Sequence, residues 1–414
     1  MKKEDLCDII GDIDDRYIKS AKETKRRVPA VTKLVIAALV AALVLGMGAM
    51  LFQNDPEPPI DPYADLEPIA IWDFASTNGG AGLGQADAYD ISDIACSNPW
   101  NERMAITDLP VFSNYLKQSE EMKKPIGADR NKMTAALLDA AERLGIKEDE
   151  LIITDDAIPE EKQAEMVERM GGYVPEGFFE LNSLYGTTDE VNITVYTDLT
   201  VTVSFKTPLR LPPAYQDHHM NSFDDANDIA KYLLESYKNI IKMDYPAISI
   251  EGGSYNTDLT KGNYFISFYE AGESDIDSII GYNFKKLTFN LDSNENIVGF
   301  IISAPDISEV AGTYPIITPD EAKDLFVKGH YFGNTRVSKN EAKLERIKRI
   351  ELVYNNANRA EYFTPFYKIT VETEYWALYN FEEDPKIKTY AEVYVPAIKS
   401  EWITNMPAYY KSFN

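Results

Sequence analysis

Three short stretches carry residue types whose spacing could hold a metal or move a proton. Asp292, Asn294 and Asn296 occupy the first, third and fifth positions of a calcium loop. The sixth position, where such a loop must turn sharply, is Ile297 rather than Gly, and Ser303 stands where a bidentate Glu would close the shell. A polar hairpin turn is the expectation there. Asp217, His218 and His219 offer metal ligands, but no third ligand follows at a zinc spacing and HExxH is absent. They read as an exposed loop after Pro212 and Pro213. Asp155 with Asp156, and Glu270 with Glu273, are the candidate acid and base pairs. In a chain with 67 acidic residues, such pairs are expected to be solvated surface.

Other signatures point the same way. Ile69 to Phe74 reads as a strand, followed by Gly79, Gly80, Gly82 and Gly84. That run lacks the Lys-Ser/Thr ending of a phosphate loop and the GxGxxG spacing, so a flexible loop is expected. There is no GxSxG elbow, and Cys7 and Cys96 have no local catalytic context. His330 follows a predicted helix stop. The 26 tyrosines would suit a sugar-binding face, although most fall in predicted strands, where Tyr is favoured for packing alone. The residues therefore assign no catalytic group, no metal ligand and no cofactor.

The elements that would position any site begin with an apolar run. Leu34 to Phe52 is nineteen residues without a charge. As a helix it spans about 28 Å, the thickness of a bilayer's hydrocarbon core. Lys19, Lys22, Lys25, Arg26, Arg27 and Lys33 crowd its N-terminal flank, while Asp55, Glu57, Asp61, Asp65 and Glu67 follow it. The positive-inside rule then places the N-terminus in the cytoplasm and the bulk outside. A cleaved signal peptide is the rival reading, but its basic region would be unusually long and Met47-Gly48-Ala49 is a poor cleavage site. The lipid bilayer is thus the expected partner of residues 34–52.

Inside, residues 3–22 read as an amphipathic helix with Leu6, Ile9, Ile10, Ile13 and Tyr17 on one stripe. The stripe suits the membrane surface or a cytoplasmic or membrane regulatory protein. Residues 53–68 alternate prolines with acids and form a stalk. The net charge of −26 disfavours nucleic acid. Cys7 and Cys96 fall on opposite sides of the anchor, which excludes a disulfide between them.

Beyond the stalk, with 44% hydrophobic residues overall, the expectation is an α+β ectodomain of antiparallel sheets, each packed by a helix. Helices are predicted over 129–144, over Ser222 to Lys242, and after Thr318 up to Gly329. The last has Thr318 as N-cap, Pro319 next and Glu321 to close a capping box. Residues 191–205 alternate with period two and read as a hairpin, as do Phe284 to Leu291 and Ile297 to Ser303. Ile347 to Tyr354, Tyr362 to Tyr375 and Lys388 to Val395 are further strands. The expected modules are 69–205, 206–305 and 306–414.

The segments MKKEDLCDIIGDIDDRYIKSAKETKRR, WNERMAITDLPVFSN, EAGESDIDSIIGYNFKKLTFN, TYPIITPDEAKDLFVKGHYF and KTYAEVYVPAIKSEWITNMP resemble a family of uncharacterised single-pass membrane proteins of anaerobic Gram-positive bacteria, over nearly the whole chain. The resemblance implies the same topology and carries no catalytic residues. The helix-plus-sheet pattern around Ile317 to Phe326 is similar to YycI-type and PepSY-like extracytoplasmic domains, which implies regulation of a sensor kinase. The expected function is a non-enzymatic membrane protein with an extracytoplasmic binding or regulatory domain. A cell-wall hydrolase and a passive envelope-binding protein are the alternatives.

The topology is testable in intact cells. In a chain carrying Cys7→Ser and Cys96→Ser, a membrane-impermeant thiol reagent is expected to label Asp55→Cys and to leave Lys25→Cys unlabelled; the opposite pattern would invert the orientation.

Overall fold

Period-two alternation builds most of this molecule. In the computed structural model, Val191, Ile193 and Val195 are buried on one face of their strand, while Asn192 and Tyr196 are exposed on the other. The partner strand follows in register, Val191 opposite Phe205 and Ile193 opposite Val203. Asp198 caps the turn by accepting from Thr200 N–H, and Leu199 takes a positive φ of 65° to close it.

The structure describes residues 62–71, 87–90, 97–118, 125–126, 129–174, 177–256, 258, 260–333, 337–357, 360–374 and 387–407. The apolar run 34–52, the stripe of Leu6, Ile9, Ile10, Ile13 and Tyr17, both cysteines and the glycines of 79–84 lie outside the described residues. Leu66–Asn414 forms one unit; of the preceding unit, Met1–Asp65, residues 62–65 are described, as a turn. Among the described residues, no helix is long and apolar enough to cross a membrane.

The fold is α+β, with two large antiparallel sheets and few helices. The strands of the first part of the chain are β1 (Asp87–Asp90), β2 (Asp108–Ser113), β3 (Lys117–Gln118), β4 (Pro125–Ile126), β5 (Ile152–Asp155), β6 (Ser183–Thr187), β7 (Val191–Tyr196) and β8 (Val201–Leu209). They continue as β9 (Pro246–Gly252), β10 (Tyr264–Glu270), β11 (Lys286–Leu291), β12 (Ile297–Ser303) and β13 (Val310–Pro315). The last are β14 (Phe332–Gly333), β15 (Ile347–Asn355), β16 (Tyr362–Thr373) and β17 (Ile387–Pro396).

One sheet has eight strands in the order β5-β6-β7-β8-β12-β11-β10-β9. The other has seven, β1-β17-β16-β2-β13, with β14 beside β17 and β15 beside β16; β3 and β4 pair separately. The boundary expected between 205 and 206 falls inside β8, which hydrogen-bonds to β7 on one side and β12 on the other. One sheet therefore joins strands that the sequence reading divides. The seven-stranded sheet in turn recruits β1 and β2 from far upstream.

Helix α1 (Arg130–Arg143) lies where a helix is predicted over 129–144; Asp129 caps it, and Gly145 follows with a φ of 74°. Helix α2 (Glu160–Arg169) was not expected: it is strongly polar and buries no residue. The helix predicted over Ser222 to Lys242 is two, α3 (Phe223–Ser236) and α4 (Lys238–Ile241). The break is at Tyr237, whose φ of −118° and ψ of 34° leave the helical region. Helix α5 (Asp275–Phe284) replaces the expected start of a strand at Phe284. Ser274 caps it by accepting from Asp277 N–H. Helix α6 (Pro319–Lys328) has the capping box complete, and Gly329 N–H and His330 N–H bond back to Phe326 and Leu325 carbonyls.

Helices α1 and α3 cover one face of the eight-stranded sheet, where Met133, Leu137, Ile229 and Leu233 meet Ile193, Val203, Phe289 and Phe300. Helix α5 crosses to the other sheet: Ile279 and Phe284 sit in the core formed by Phe112, Leu352, Tyr354 and Phe363. The backbone must come close for that. A Cβ on Gly281 would lie 1.6 Å from the Glu270 carbonyl oxygen. Gly281→Ala is expected to destabilise the fold by about 3 kcal/mol, near the upper end of ordinary overpacking, and Phe284→Ala by about 3–5 kcal/mol. Urea unfolding measures both. An unshifted midpoint for Gly281→Ala would mean that helix and strand are not in contact.

Candidate functional site

Two of the sequence candidates come together. The segment after β8 runs through Arg210, Leu211 and a 3-10 turn, Pro213–Tyr215, and meets the hairpin turn between β11 and β12. Arg210, Leu211, Tyr215, Gln216, Asn294, Glu295 and Asn296 line a cleft of about 340 Å³ between them. His219 Nδ1 stands 4.0 Å from Glu295 Oε1 at its side. Asp292 faces inward to its own turn, accepting from Asn294 N–H at 2.8 Å, Asn296 N–H at 2.9 Å and Asn296 Nδ2 at 3.1 Å. Those bonds hold its carboxyl below the usual range. The turn is the polar hairpin that the missing Gly and Glu predict. Among the described residues, no three His, Cys, Asp or Glu side chains gather in a group that could hold a metal ion.

The paired carboxylates are committed elsewhere. Asp155 is bonded by Arg130 at 2.6 Å and by Ala157 N–H, and Asp156 accepts from Asn182 and Ser183 N–H. The Arg130 bond chiefly holds the Asp155 carboxyl down. Glu270 accepts from Asp244 and Tyr245 N–H, and the Tyr245 hydroxyl donates to Glu273 at 2.6 Å. Each of these four carboxylates thus accepts at least one hydrogen bond from a backbone N–H, from Arg130 or from the Tyr245 hydroxyl. His330 likewise caps, its Nδ1 lying 3.0 Å from the Pro407 carbonyl oxygen.

A denser set of charges, which the sequence reading did not single out, lies where the two sheets meet. Ser97 Oγ exchanges two hydrogen bonds with Ile250 of β9, and Asn98 Nδ2 donates to the Leu352 carbonyl of β15. Beside this stitch, Glu251 accepts from Lys286 Nζ at 3.0 Å, the Tyr282 hydroxyl at 2.9 Å and Ser249 Oγ at 3.0 Å. Burial opposes ionisation of Glu251, but Lys286 and the two hydroxyls outweigh it and hold the carboxyl at about 2. Tyr282 is pushed well above its ordinary value by burial, with Glu251 and Glu351 adding to it.

On β15 and its neighbours, the nearly buried Glu351 pairs with Arg349 and Lys368, both at 3.1 Å, and Lys368 reaches Glu392 at 3.4 Å. Burial pulls the Lys368 ammonium down, yet Glu351 and Glu392 more than reverse it, so its pKa is raised. A lysine held protonated in this way is neither a base nor an amine nucleophile. Register explains why these residues were invisible locally: Glu351 and Lys368 are cross-strand partners 17 positions apart.

The face of the eight-stranded sheet away from α1 and α3 meets α5 at β9 and β10, where Tyr282 packs on Tyr269 and bonds to Glu251 and where Ser249, Ser267 and Tyr269 are buried. Over β6, β7 and β8 it is open, with Asn192, Tyr196 and Ser204 exposed. Register aligns Thr154, Tyr185, Thr194, Thr202, Ile301 and Thr288 in one row across six strands. A second row places Thr187, Asn192, Ser204, Gly299 and Asn290 side by side. Gly299 lets the strands close, because a Cβ there would lie 1.9 Å from the Val203 carbonyl oxygen. Neither row contains a charged residue.

No family model and no curated protein matches the chain. Among solved structures it is similar to an uncharacterized protein from Eubacterium rectale ATCC 33656, at 11% identity over 70% of this chain and 82% of that one, with a TM-score of 0.32. A likeness that distant transfers no function.

The Glu251 carboxyl makes the sheet junction sensitive to acid. Its folded pKa lies below its ordinary value of 4.5, so its contribution to stability is complete above about 4.5 and is lost as pH falls towards about 2. Glu251→Gln is expected to lower the melting temperature at pH 7 and to flatten its fall over that acid window. A melting curve as steep in the variant as in the native chain would remove Glu251 from the account.

Proposed function

We propose that the chain is a non-enzymatic, single-pass membrane protein that works by binding. Residues 34–52 sit in the lipid bilayer, the N-terminus faces the cytoplasm, and Leu66–Asn414 is the extracytoplasmic unit. That unit modulates an envelope signalling partner, and the stripe of Leu6, Ile9, Ile10, Ile13 and Tyr17 contacts a regulatory protein at the inner surface. The apolar run and its charged flanks support the topology. The resemblance of the C-terminal blocks to PepSY-like regulatory domains supports the role.

One observation carries the choice of binding over catalysis. Asp155, Asp156, Glu270 and Glu273 are each held by backbone N–H groups, by Arg130 or by the Tyr245 hydroxyl. A glycoside or amide hydrolase needs one such carboxyl protonated in a cleft and another free beside it. The cleft beside Arg210 instead mixes amides, a guanidinium and Glu295, which suits recognition.

A photo-crosslinker at Leu6, Ile9 or Ile13 in native membranes is expected to capture one defined protein, with capture lost when the stripe is made polar. If deletion of residues 1–22 leaves every interaction and phenotype intact, the signalling half of this reading fails.

A further inference from the structure

We infer that the face of the eight-stranded sheet away from α1 and α3, in the part that α5 leaves open, binds an uncharged polysaccharide, laid across strands β6, β7, β8, β12 and β11. The inference rests on the reading of Leu66–Asn414 as a binding unit and names the class of ligand. In a chain of net charge −26, the two central rows of this face contain no acid and no base. Among the described residues, the side chains of Tyr185, Asn192, Thr194, Thr202, Ser204 and Asn290 make no hydrogen bond. Hydroxyls and amides both donate and accept, so they match a ligand whose own groups are hydroxyls and acetamides.

Geometry favours a repeating polymer. Neighbouring strands lie about 4.8 Å apart, so from β6 to β8 each row offers a polar group at roughly the length that one sugar ring adds to an extended chain, and at β12 Ile301 and Gly299 interrupt the rows. Tyr185, Ile301 and the exposed Tyr196 provide apolar surface among the hydroxyls for the C–H faces of the rings. Competing partners fit worse. Nucleic acid needs cations, which the rows lack. A protein partner needs an apolar core to its interface, and an added peptide strand would use an edge rather than a face.

The test uses the full chain, purified in a detergent without a sugar headgroup, and sedimentation with insoluble chitin and with cellulose. Retention on at least one is expected. Thr194→Val with Thr202→Val, which keeps side-chain shape, should weaken it about tenfold, as loss of two neutral hydrogen bonds implies. Asn192→Ala with Ser204→Ala, at exposed positions where folding is not at stake, should weaken it similarly. Glu190→Gln, in the turn before β7, should bind as the native chain. No retention on either polymer, or full retention by both double variants, overturns the inference. Because this assay does not involve residues 1–22, it can fail or succeed independently of the crosslinking at the inner surface.

Discussion

Helix α5 is the contact on which the rest of the unit Leu66–Asn414 depends. It leaves β10, presses so closely on the Glu270 carbonyl that only glycine fits at 281, and delivers Phe284 into the other sheet's core. There Phe284 meets Phe112, Tyr354 and Phe363 with ring centroids 5.4, 5.0 and 5.6 Å away. Asn283 fixes the orientation, its side-chain oxygen accepting from Tyr354 N–H and its carbonyl from Asn356 Nδ2. Without this helix, the seven-stranded sheet would lose Ile279 and Phe284 from its core, and Tyr269 and Glu251 of the eight-stranded sheet would lose Tyr282. With it, the two sheets share one packed boundary.

That boundary also explains where the charges went. An acidic chain gains little from exposed ion pairs, and most of its carboxylates simply keep it soluble. Glu351 is instead buried between Arg349 and Lys368, while the half-exposed Glu251 pairs with Lys286. A buried ion is costly to leave unpaired, so Glu351 and its partners fix the register of β15 on β16 more than they add net stability. The same logic accounts for the committed acids at Asp155 and Glu270, which hold turns in place rather than face a substrate.

The eight-stranded sheet is covered by α1 and α3 on one face and by α5 at β9 and β10 on the other, which leaves the strands from β6 to β8 open on that second face. On the face under α1 and α3 the strands are aliphatic and aromatic; on the other, Thr, Ser, Asn and Tyr succeed one another. Alternation in single strands is only what solvation of one face requires. What distinguishes this face is that uncharged residues line up across five strands in a protein otherwise dense in acids.

Local features were legible in the sequence. The Thr318 capping box, the Asp129 cap, the hairpin at 191–205 and the polar turn at 292–296 act within a few residues, through side chains bonding to nearby backbone, so spacing alone reveals them. Helix α2 was missed because it buries nothing and so carries no core-facing stripe, and α5 because Ile276, Ile279, Ile280, Tyr282 and Phe284 are apolar nearly all round, which resembles a strand as much as a helix. The sequence by itself also determined the acidic balance and the charge asymmetry around residues 34–52. It took the folded chain to show that β8 joins two hairpins in one sheet, that Glu251 and Glu351 share a junction, and that Thr202 and Thr288 stand in a row. Those are contacts between segments tens to hundreds of residues apart, and the pairing of distant strands is set by how whole faces bury, which no local spacing encodes.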